Sequence, residues 1–315
     1  MFAAVTDAAF PVFALILTGW LCAMVNLMPA SVTDGLNRFV IYLALPAQLF
    51  GAMSHATLSE LVRPGFFLAY GLGMLGTALC FTLVSRNDHA PVTDRIISGM
   101  SATYSNAGFM GIPLCLMVFG PAGLAPSIIC TLFTVSLLFA VSILCIELNH
   151  LKDGRVMPAI RKVVGAMLRN PLLLAPIAGI AWSAMGKTMP TAVERFVDLI
   201  GAAATPCALI AIGLFLAQHP ARKNSAVVNR IVLLKLLVQP ALTGVLVFWV
   251  FDLPRLWSLV AVLSAALPVG TGPFMLAQIY QRDAAASARA ILLSTVGSVL
   301  TISLVIAWIG RPTVN

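Results

Sequence analysis

The chain has 315 residues, of which 60% are hydrophobic and only 10% are charged, and its mean hydropathy is +0.99. Water-soluble globular proteins carry about 25% charged residues, so this composition excludes a soluble globule and indicates a polytopic membrane protein. The net charge of +8 does not indicate a nucleic-acid partner, because the basic residues are spread over short connections between apolar stretches.

Ten stretches are apolar over roughly the 20 residues that a membrane-crossing helix needs. The sequence therefore predicts an all-α polytopic membrane protein with ten transmembrane helices. In chain order the predicted spans are Ala8 to Met28, Leu36 to Met53, Gly65 to Val84, Ile96 to Phe119, Ala125 to Ile146, Leu172 to Met185, Phe196 to Ala217, Val227 to Phe251, Leu256 to Tyr280, and Ala290 to Ile309. The longest polar connection separates the fifth span from the sixth. It divides the chain into a first five-helix repeat over residues 1–150, a basic linker over residues 151–170, and a second five-helix repeat over residues 171–315.

The basic residues indicate how the spans are oriented, because loops rich in Lys and Arg stay in the cytoplasm. If the N-terminus lies outside, the inside connections hold 13 of the 19 Lys and Arg residues and the outside connections hold five. This asymmetry predicts that both termini face the outside, the periplasm of a bacterium, and that the central linker is cytoplasmic. The N-terminus carries Asp7 and no basic segment before its first apolar run, so no cleaved signal peptide is expected.

Two short patterns recur in the same order in the two halves of the chain. The tripeptide RFV occurs at residues 38–40 and again at 195–197, and GFM at 108–110 corresponds to PFM at 273–275, offsets of 157 and 165 residues. Because each half has an odd number of spans, the second must be inverted relative to the first. Inverted repeats are typical of secondary transporters, in which the substrate site lies at the repeat interface.

Helix-breaking residues interrupt the fourth and ninth predicted spans near their middle. Residues 107–113 include Gly108, Gly111 and Pro113, and residues 268–273 read PVGTGP. Non-helical backbone at bilayer depth survives only when it is buried in protein or lines a watery cavity. Two half-helix N-termini that meet at one cavity would favour an anion. The alternative is that each interruption is a proline kink that only shapes helix packing.

Several of these stretches together resemble the auxin efflux carrier family: SNAGFMGIPL, LPAQLF, TPCALIAIGL, KLLVQP and LPVGTGPFMLAQIY. The resemblance extends over essentially the whole chain. It implies ten helices in two inverted repeats, with discontinuous fourth and ninth helices that cross. It also implies transport of a small organic anion by an elevator-like or rocking exchange of access. The short central loop is similar to that of compact bacterial members, which implies the cell inner membrane.

The candidate substrate-binding residues lie mainly at the two interruptions. Asn106 leads them, because its amide offers a donor and an acceptor and it matches the crossover asparagine of the family that the sequence resembles; the alternative is a helix cap. The other candidates are Ser105, Gly108, Gly111, Pro113, Gly270, Thr271, Gly272 and Pro273 at the interruptions, Gln48 in the second span and Lys235 in the eighth. Lys235 either extends its amine to the membrane interface or attracts an anion.

The function predicted from these features is a secondary transporter of a small organic anion, such as the dicarboxylates malonate and malate. An auxin-like or amino-acid-derived monocarboxylate stays open, as do the direction of transport and a sodium ion held by backbone carbonyls. No carboxylate is predicted at mid-membrane depth, since Glu147 and Asp198 are expected at the interface, so passage driven by the substrate gradient and the membrane potential is favoured over a proton relay.

Other classes of protein are less consistent with the sequence. No Ser/His pair, HExxH motif or Asp pair occurs at bilayer depth, the four histidines map to loops, and the six cysteines have no metal-ligand spacing. We therefore expect no enzyme, no metal site and no cofactor. A membrane sensor without transport is the alternative from a different class. The expected partners are the substrate and the lipid bilayer, and a homodimer is possible.

Overall fold

The computed structural model describes residues 2–55, 63–86, 88–150, 157–186, 188–218 and 226–310. Within these ranges the regular elements are helices, and one isolated β-bridge joins two of the connections between them. In chain order the helices are α1 (Phe2–Met24), α2 (residues 30–54), α3 (Pro64–Val84), α4 (Val92–Thr103), α5 (residues 107–119), α6 (residues 124–150), α7 (Met157–Met167), α8 (Pro171–Ala184), α9 (Thr191–Ala202), α10 (Ala204–Gln218), α11 (residues 226–250), α12 (Arg255–Ala265), α13 (Gly272–Ile279) and α14 (Ala285–Ile309).

Three helices contain a widened π turn just before a proline. The widened turns Val40–Ala44, Ala107–Gly111 and Leu234–Val238 precede Pro46, Pro113 and Pro240, respectively. A proline has no N–H, and its ring clashes with the carbonyl four residues earlier. Widening the preceding turn removes the clash without ending the helix. A proline in these spans therefore does not by itself interrupt a helix.

Six helical stretches are long and apolar enough to cross a membrane, or seven if the bent pair Ile160–Met167 and Pro171–Ala184 counts as one span. The longest stretch, Ala107–Asn149, has 43 residues. At 1.5 Å per residue it would extend about 65 Å, twice the hydrocarbon thickness. It contains α5 and α6, which are separated at Gly120, where φ is +66°. The chain is thus an all-helical membrane protein, and the count of ten spans stays a prediction.

The predicted fourth and ninth spans are not single long helices. Helix α4 has 12 residues, α12 has 11 and α13 has eight, fewer than the roughly 20 that a span needs. The predicted linker over residues 151–170 is also not simply a polar connection, because α7 occupies Met157–Met167 within it. Residues 151–156 lie outside the described ranges. The chain bends by 61° between α7 and α8.

Glycines allow close packing between two pairs of helices. α1 packs along α10, and α8 packs along the second half of α2. A Cβ added at Gly19 of α1 would overlap the Ile210 carbonyl oxygen, and one added at Gly213 of α10 would overlap that of Ile16. In the other pair, a Cβ at Gly179 would lie 2.6 Å from the Phe50 carbonyl oxygen. Small residues of this kind let helix backbones approach closely in membrane proteins.

Candidate functional site

The first interruption lies between α4 and α5. Helix α4 ends at Thr103, Tyr104 has an extended conformation, and α5 begins at Ala107. The prediction that residues 107–113 carry the interruption is therefore wrong by about three residues. Those residues form the widened turn and the first part of α5, because the widened turn accommodates Pro113. Gly111 has a packing role there, since a Cβ would lie 2.7 Å from the Leu267 side chain.

The second interruption lies between α12 and α13. Helix α12 ends at Ala265, residues 266–271 are not helical, and α13 begins at Gly272 with Pro273 in its first turn. Thr271 occupies the N-cap position without a hydrogen bond from its side chain. Here the proline does suit the start of a helix, because its missing N–H would have no partner in the first turn.

The two interruptions pair with each other through their backbones. Ser105 and Val269 form an antiparallel β-bridge. The Asn106 N–H donates to the Pro268 carbonyl at 2.8 Å, and the Gly270 N–H donates to the Tyr104 carbonyl at 3.0 Å. Each interruption thus satisfies backbone groups that the other would leave unpaired in a region without water. The pairing fixes the position of one interruption relative to the other.

The Tyr104 ring explains why glycines occur in the second interruption. A Cβ added at Gly272 would lie 2.5 Å from Tyr104 Cε2 and 2.7 Å from the phenolic oxygen. At Gly270 the added atom would lie 2.9 Å from Tyr104 Cε1 and 3.1 Å from the Asn106 Cα. Only glycine allows these approaches without displacing the ring or the backbone. Tyr104 was not among the predicted site residues, because the glycines against which its ring packs lie in the other half of the chain.

The two interruptions, together with the first turns of α5 and α13, form the crossing. An ion pair connects the two halves of the chain beyond this crossing. Arg282, after α13, donates from Nε to Asp94 Oδ1 at 2.6 Å and from Nη2 to Asp94 Oδ2 at 2.5 Å. These hydrogen bonds and the carboxylate charge raise the pKa of the Arg282 guanidinium. Asp94 belongs to the first turn of α4, so the bidentate pair joins the start of α4 to the end of α13.

A cavity of about 290 Å³ lies against the crossing. Five of the predicted site residues line it: Ser105, Asn106, Gly108, Thr271 and Gly272. The facing walls come from α2, α6, α7 and the segment that leads into α8, and most of their side chains are apolar. This combination of an apolar wall and a few convergent polar groups is typical of a small-molecule site.

Polar residues are present among those that line this cavity. The Oγ atoms of Ser105 and Ser136 themselves are fully buried and do not reach the cavity surface, and the Tyr70 hydroxyl lies next to Ser105 Oγ. Asn106 is only 6% exposed, occupies the N-cap position of α5 and makes no capping hydrogen bond with its side chain. The Gly108 N–H lies in the first turn of α5, where backbone N–H groups have no intrahelical partner. Donors are therefore concentrated at the crossing.

The other predicted site residues lie away from the cavity lining. Gly111, Pro113, Gly270 and Pro273 belong to the crossing but do not line the cavity. Gln48 belongs to α2, where the Gly201 backbone packs against it, and its Oε1 is buried without a partner among the described residues. Conversely, Ser136, Arg169 and Asn170 do line the cavity and were not selected. No sequence signal distinguished Arg169 from the other basic residues of the linker.

Lys235 does not extend to the membrane interface, so that alternative is wrong. Its side chain is 0% exposed, and Nζ donates to the Ala265 carbonyl oxygen at 2.6 Å. Ala265 is the last residue of α12, directly before the second interruption. The last carbonyls of a helix have no intrahelical partner and form the negative end of its dipole. Lys235 therefore stabilises the helix end that leads into the crossing, rather than lining the cavity.

We expect Lys235→Met to destabilise the protein by about 1–3 kcal/mol, because a buried carbonyl loses its donor while the volume of the side chain is kept. Thermal unfolding in detergent micelles, followed by tryptophan fluorescence, measures the change. Lys162→Met is the control, since the Lys162 side chain is 51% exposed and its ion pair with Glu147 contributes little. Unchanged or higher stability of Lys235→Met would contradict the expectation.

Two carboxylates were predicted to lie at the membrane interface. Asp198 lies within α9 and is exposed. Glu147 of α6 is instead partly buried, accepting hydrogen bonds from Lys162 Nζ and the Tyr280 hydroxyl at 2.6 Å each. Within the described ranges no group of three or more His, Cys, Asp or Glu side chains could hold a metal ion.

Comparison with known proteins adds independent information. Residues 4–306 match the family described as membrane transport protein. A candidate malonate transporter of Rhizobium meliloti (strain 1021) is 29% identical over 302 residues, which cover 96% of this chain and 94% of that protein. An uncharacterized transporter of Methanothermobacter thermautotrophicus is 25% identical and covers 95% of this chain and 96% of that protein. The auxin efflux carrier component 3a of Oryza sativa subsp. japonica is 30% identical over 134 residues, 40% of this chain and 21% of that protein.

Proposed function

Because the chain belongs to the membrane transport protein family, which also includes the auxin efflux carriers, we propose that it is a secondary transporter whose substrate is a small organic anion. The family resemblance predicted from the sequence is thereby confirmed. The proposed binding site is the cavity at the crossing of α4–α5 with α12–α13. No enzymatic step is proposed, because transport needs only selective binding and a change of access.

The observation that carries this proposal is the position of the Asn106 amide beside two helix N-termini at the crossing. Asn106 lines the cavity, and its side chain makes no capping hydrogen bond to α5. The N-terminal ends of α5 and α13 are directed to the same place by the bridge between Ser105 and Val269. A carboxylate accepts hydrogen bonds from such donors and is stabilised by the positive ends of the helices.

We propose a dicarboxylate of the size of malonate as the substrate. The Rhizobium meliloti relative, named for malonate, aligns over nearly the full length of both proteins. The rice auxin efflux carrier aligns over less than half of this chain, so an auxin-like monocarboxylate is the second candidate. A cavity of about 290 Å³ accommodates a small organic acid.

The proposed architecture is ten membrane spans in two inverted five-helix repeats. Helix packing supports this architecture. In the proposed repeats α1 corresponds to α8 and α2 corresponds to α10, so the contact between α1 and α10 has its counterpart in the contact between α8 and α2. One glycine of each contact also corresponds, since Gly19 and Gly179 are 160 residues apart, within the range of the tripeptide offsets. The two interruptions then belong to the fourth and ninth spans.

The proposed mechanism is alternating access around the crossing. Helices α1, α2, α8, α9 and α10 pack on one another, partly through glycines, and two of them, α2 and the start of α8, contribute residues to the cavity wall. The crossing and the helices attached to it would move relative to this wall by an elevator-like or rocking motion. The basic linker would be cytoplasmic and both termini periplasmic, in accordance with the distribution of Lys and Arg.

Counterflow in proteoliposomes tests the function directly. Vesicles loaded with unlabelled malonate should accumulate external labelled malonate when they contain the protein, and protein-free vesicles should not. A membrane sensor would bind malonate without exchanging it across the bilayer. Absence of counterflow with malonate, malate and indole acetate, in vesicles where folded protein is verified, would reject the transporter proposal. Cross-linking in the same vesicles would test the predicted homodimer.

A further inference from the structure

We propose that Arg169 is a specificity-determining residue of the cavity, which binds the second carboxylate of a dicarboxylate substrate while the crossing binds the first. The inference rests on the proposed function, since it concerns the ligand of the same site. It adds a cation to a site whose other recognition groups are neutral.

The position of Arg169 in the fold brings it to the cavity. It follows α7 and precedes α8, in the segment where the chain bends by 61°. Among the described lining residues it is the only one with a charged side chain. Because Arg169 is itself exposed, it lies at the mouth of the cavity rather than at its base. A guanidinium in this position meets an anion as the anion enters or leaves.

The charge of Arg169 is available for a ligand. No ion pair or hydrogen bond engages its side chain within the described ranges. Three other cations form ion pairs: Lys162 with Glu147, Arg230 with Asp88 and Arg282 with Asp94. An unpaired guanidinium presents its donors in a fork that matches a carboxylate.

The neighbouring helix end does not supply the positive group instead. The Asn170 side-chain oxygen already accepts the Leu172 N–H at 3.0 Å, and Pro171 has no N–H to donate. The N-terminus of α8 is therefore largely capped. Charge recognition on this wall must come from Arg169.

The two sides of the cavity consequently differ in character. The crossing offers the neutral Asn106 amide and the N–H groups of helix ends, which suit one carboxylate. Arg169 lies on the α7–α8 side, so a molecule with two carboxylates can use both sides and a monocarboxylate only one. A charge-assisted hydrogen bond of this kind corresponds to roughly tenfold to hundredfold in affinity. The alternative role for Arg169 is an interfacial contact with lipid phosphate.

Malonate and malonamate distinguish the two roles, because malonamate has the same shape with one carboxylate replaced by a neutral amide. In proteoliposome uptake we expect the wild type to prefer malonate over malonamate at least tenfold. Arg169→Gln should raise the KM for malonate about tenfold to hundredfold and leave malonamate uptake unchanged. Arg169→Lys, which keeps the charge without the fork, should recover part of the preference.

Arg161→Gln is the matched control. Arg161 is another exposed arginine, which lies on α7 eight residues before Arg169, and it does not line the cavity. Its removal should keep the malonate preference. Stabilisation of detergent-solubilised protein by malonate against thermal unfolding gives a readout that does not depend on flux, and only Arg169→Gln should reduce it.

The outcomes separate this inference from the proposed function. If Arg169→Gln keeps the wild-type preference, or lowers uptake of both compounds equally, the inference is overturned while the transporter proposal stands. If the wild type carries neither compound nor any other organic anion, the proposed function fails, and the inference fails with it. Loss of the malonate preference in Arg161→Gln as well would indicate a general surface-charge effect and would also overturn the inference.

Discussion

Asn106→Asp is expected to lower malonate counterflow at least about a hundredfold. The side chain is only 6% exposed and lines the cavity at the crossing. The substitution keeps the size of the side chain but replaces a neutral amide by a carboxylate, which repels an anionic substrate in a region of low dielectric constant. It also removes both amide donors. The initial rate of labelled malonate counterflow in proteoliposomes measures the effect.

The control for this substitution is Asn229→Asp on α11, which adds the same charge at an exposed position away from the cavity. It should leave counterflow within about twofold. Asn106→Ala, which removes the donors without adding a charge, should be impaired less severely than Asn106→Asp. Equal rates for Asn106→Asp and the wild type would show that the anion does not bind at the crossing, even if counterflow itself occurs.

Gly272→Ala is expected to lower counterflow at least about tenfold. The added methyl group would lie 2.5 Å from Tyr104 Cε2 and 2.7 Å from its phenolic oxygen, closer than carbon atoms can approach without displacement. The ring is buried between the two interruptions, with only 7% of Tyr104 exposed, so it cannot move freely. Either the ring enters the cavity or the backbone pairing of the crossing is lost. Both results impair the proposed site.

Two further variants make the Gly272 result specific. Gly244→Ala on α11 adds the same methyl group where the nearest atom, Val262 Cγ2, would be 3.7 Å away, so it should retain full activity. Gly272→Ala should cost less in a Tyr104→Leu background than alone, because the smaller side chain relieves the overlap. Strictly additive effects of the two substitutions would contradict a direct clash, since contacting residues show coupling in such cycles.

The backbone pairing at the crossing also bears on why the interruptions persist in a membrane. Unpaired N–H and C=O groups in hydrocarbon each cost several kcal/mol. The hydrogen bonds between Asn106 and Pro268 and between Tyr104 and Gly270, together with that from the Val269 N–H to Ser294 Oγ, remove part of this cost. A site formed this way keeps donors at the cavity while its other backbone groups are satisfied by protein.

The sequence by itself determined the class of the protein, its family and the regions of the two interruptions. Composition and apolar run length act locally, because each residue's preference for lipid or water does not depend on its distant neighbours. Glycine and proline likewise act on the backbone where they occur. For this reason the second interruption was predicted at residues 268–273, where the helix is broken, and the first was predicted within a few residues of its place. The family resemblance rested on the same local stretches.

Only the tertiary structure decided which residues those regions meet. A proline can either interrupt a helix or widen its preceding turn, and the sequence does not choose between them; the structure places the first interruption at Tyr104–Asn106 and makes Pro113 part of a helix. Lys235 donates to Ala265, which lies 30 residues later in the chain, and Tyr104 packs against Gly272, which lies more than 160 residues later. Arg169 reaches the cavity because the chain bends between α7 and α8. Such contacts depend on how the helices pack, and helix packing is a property of the whole chain rather than of any one segment.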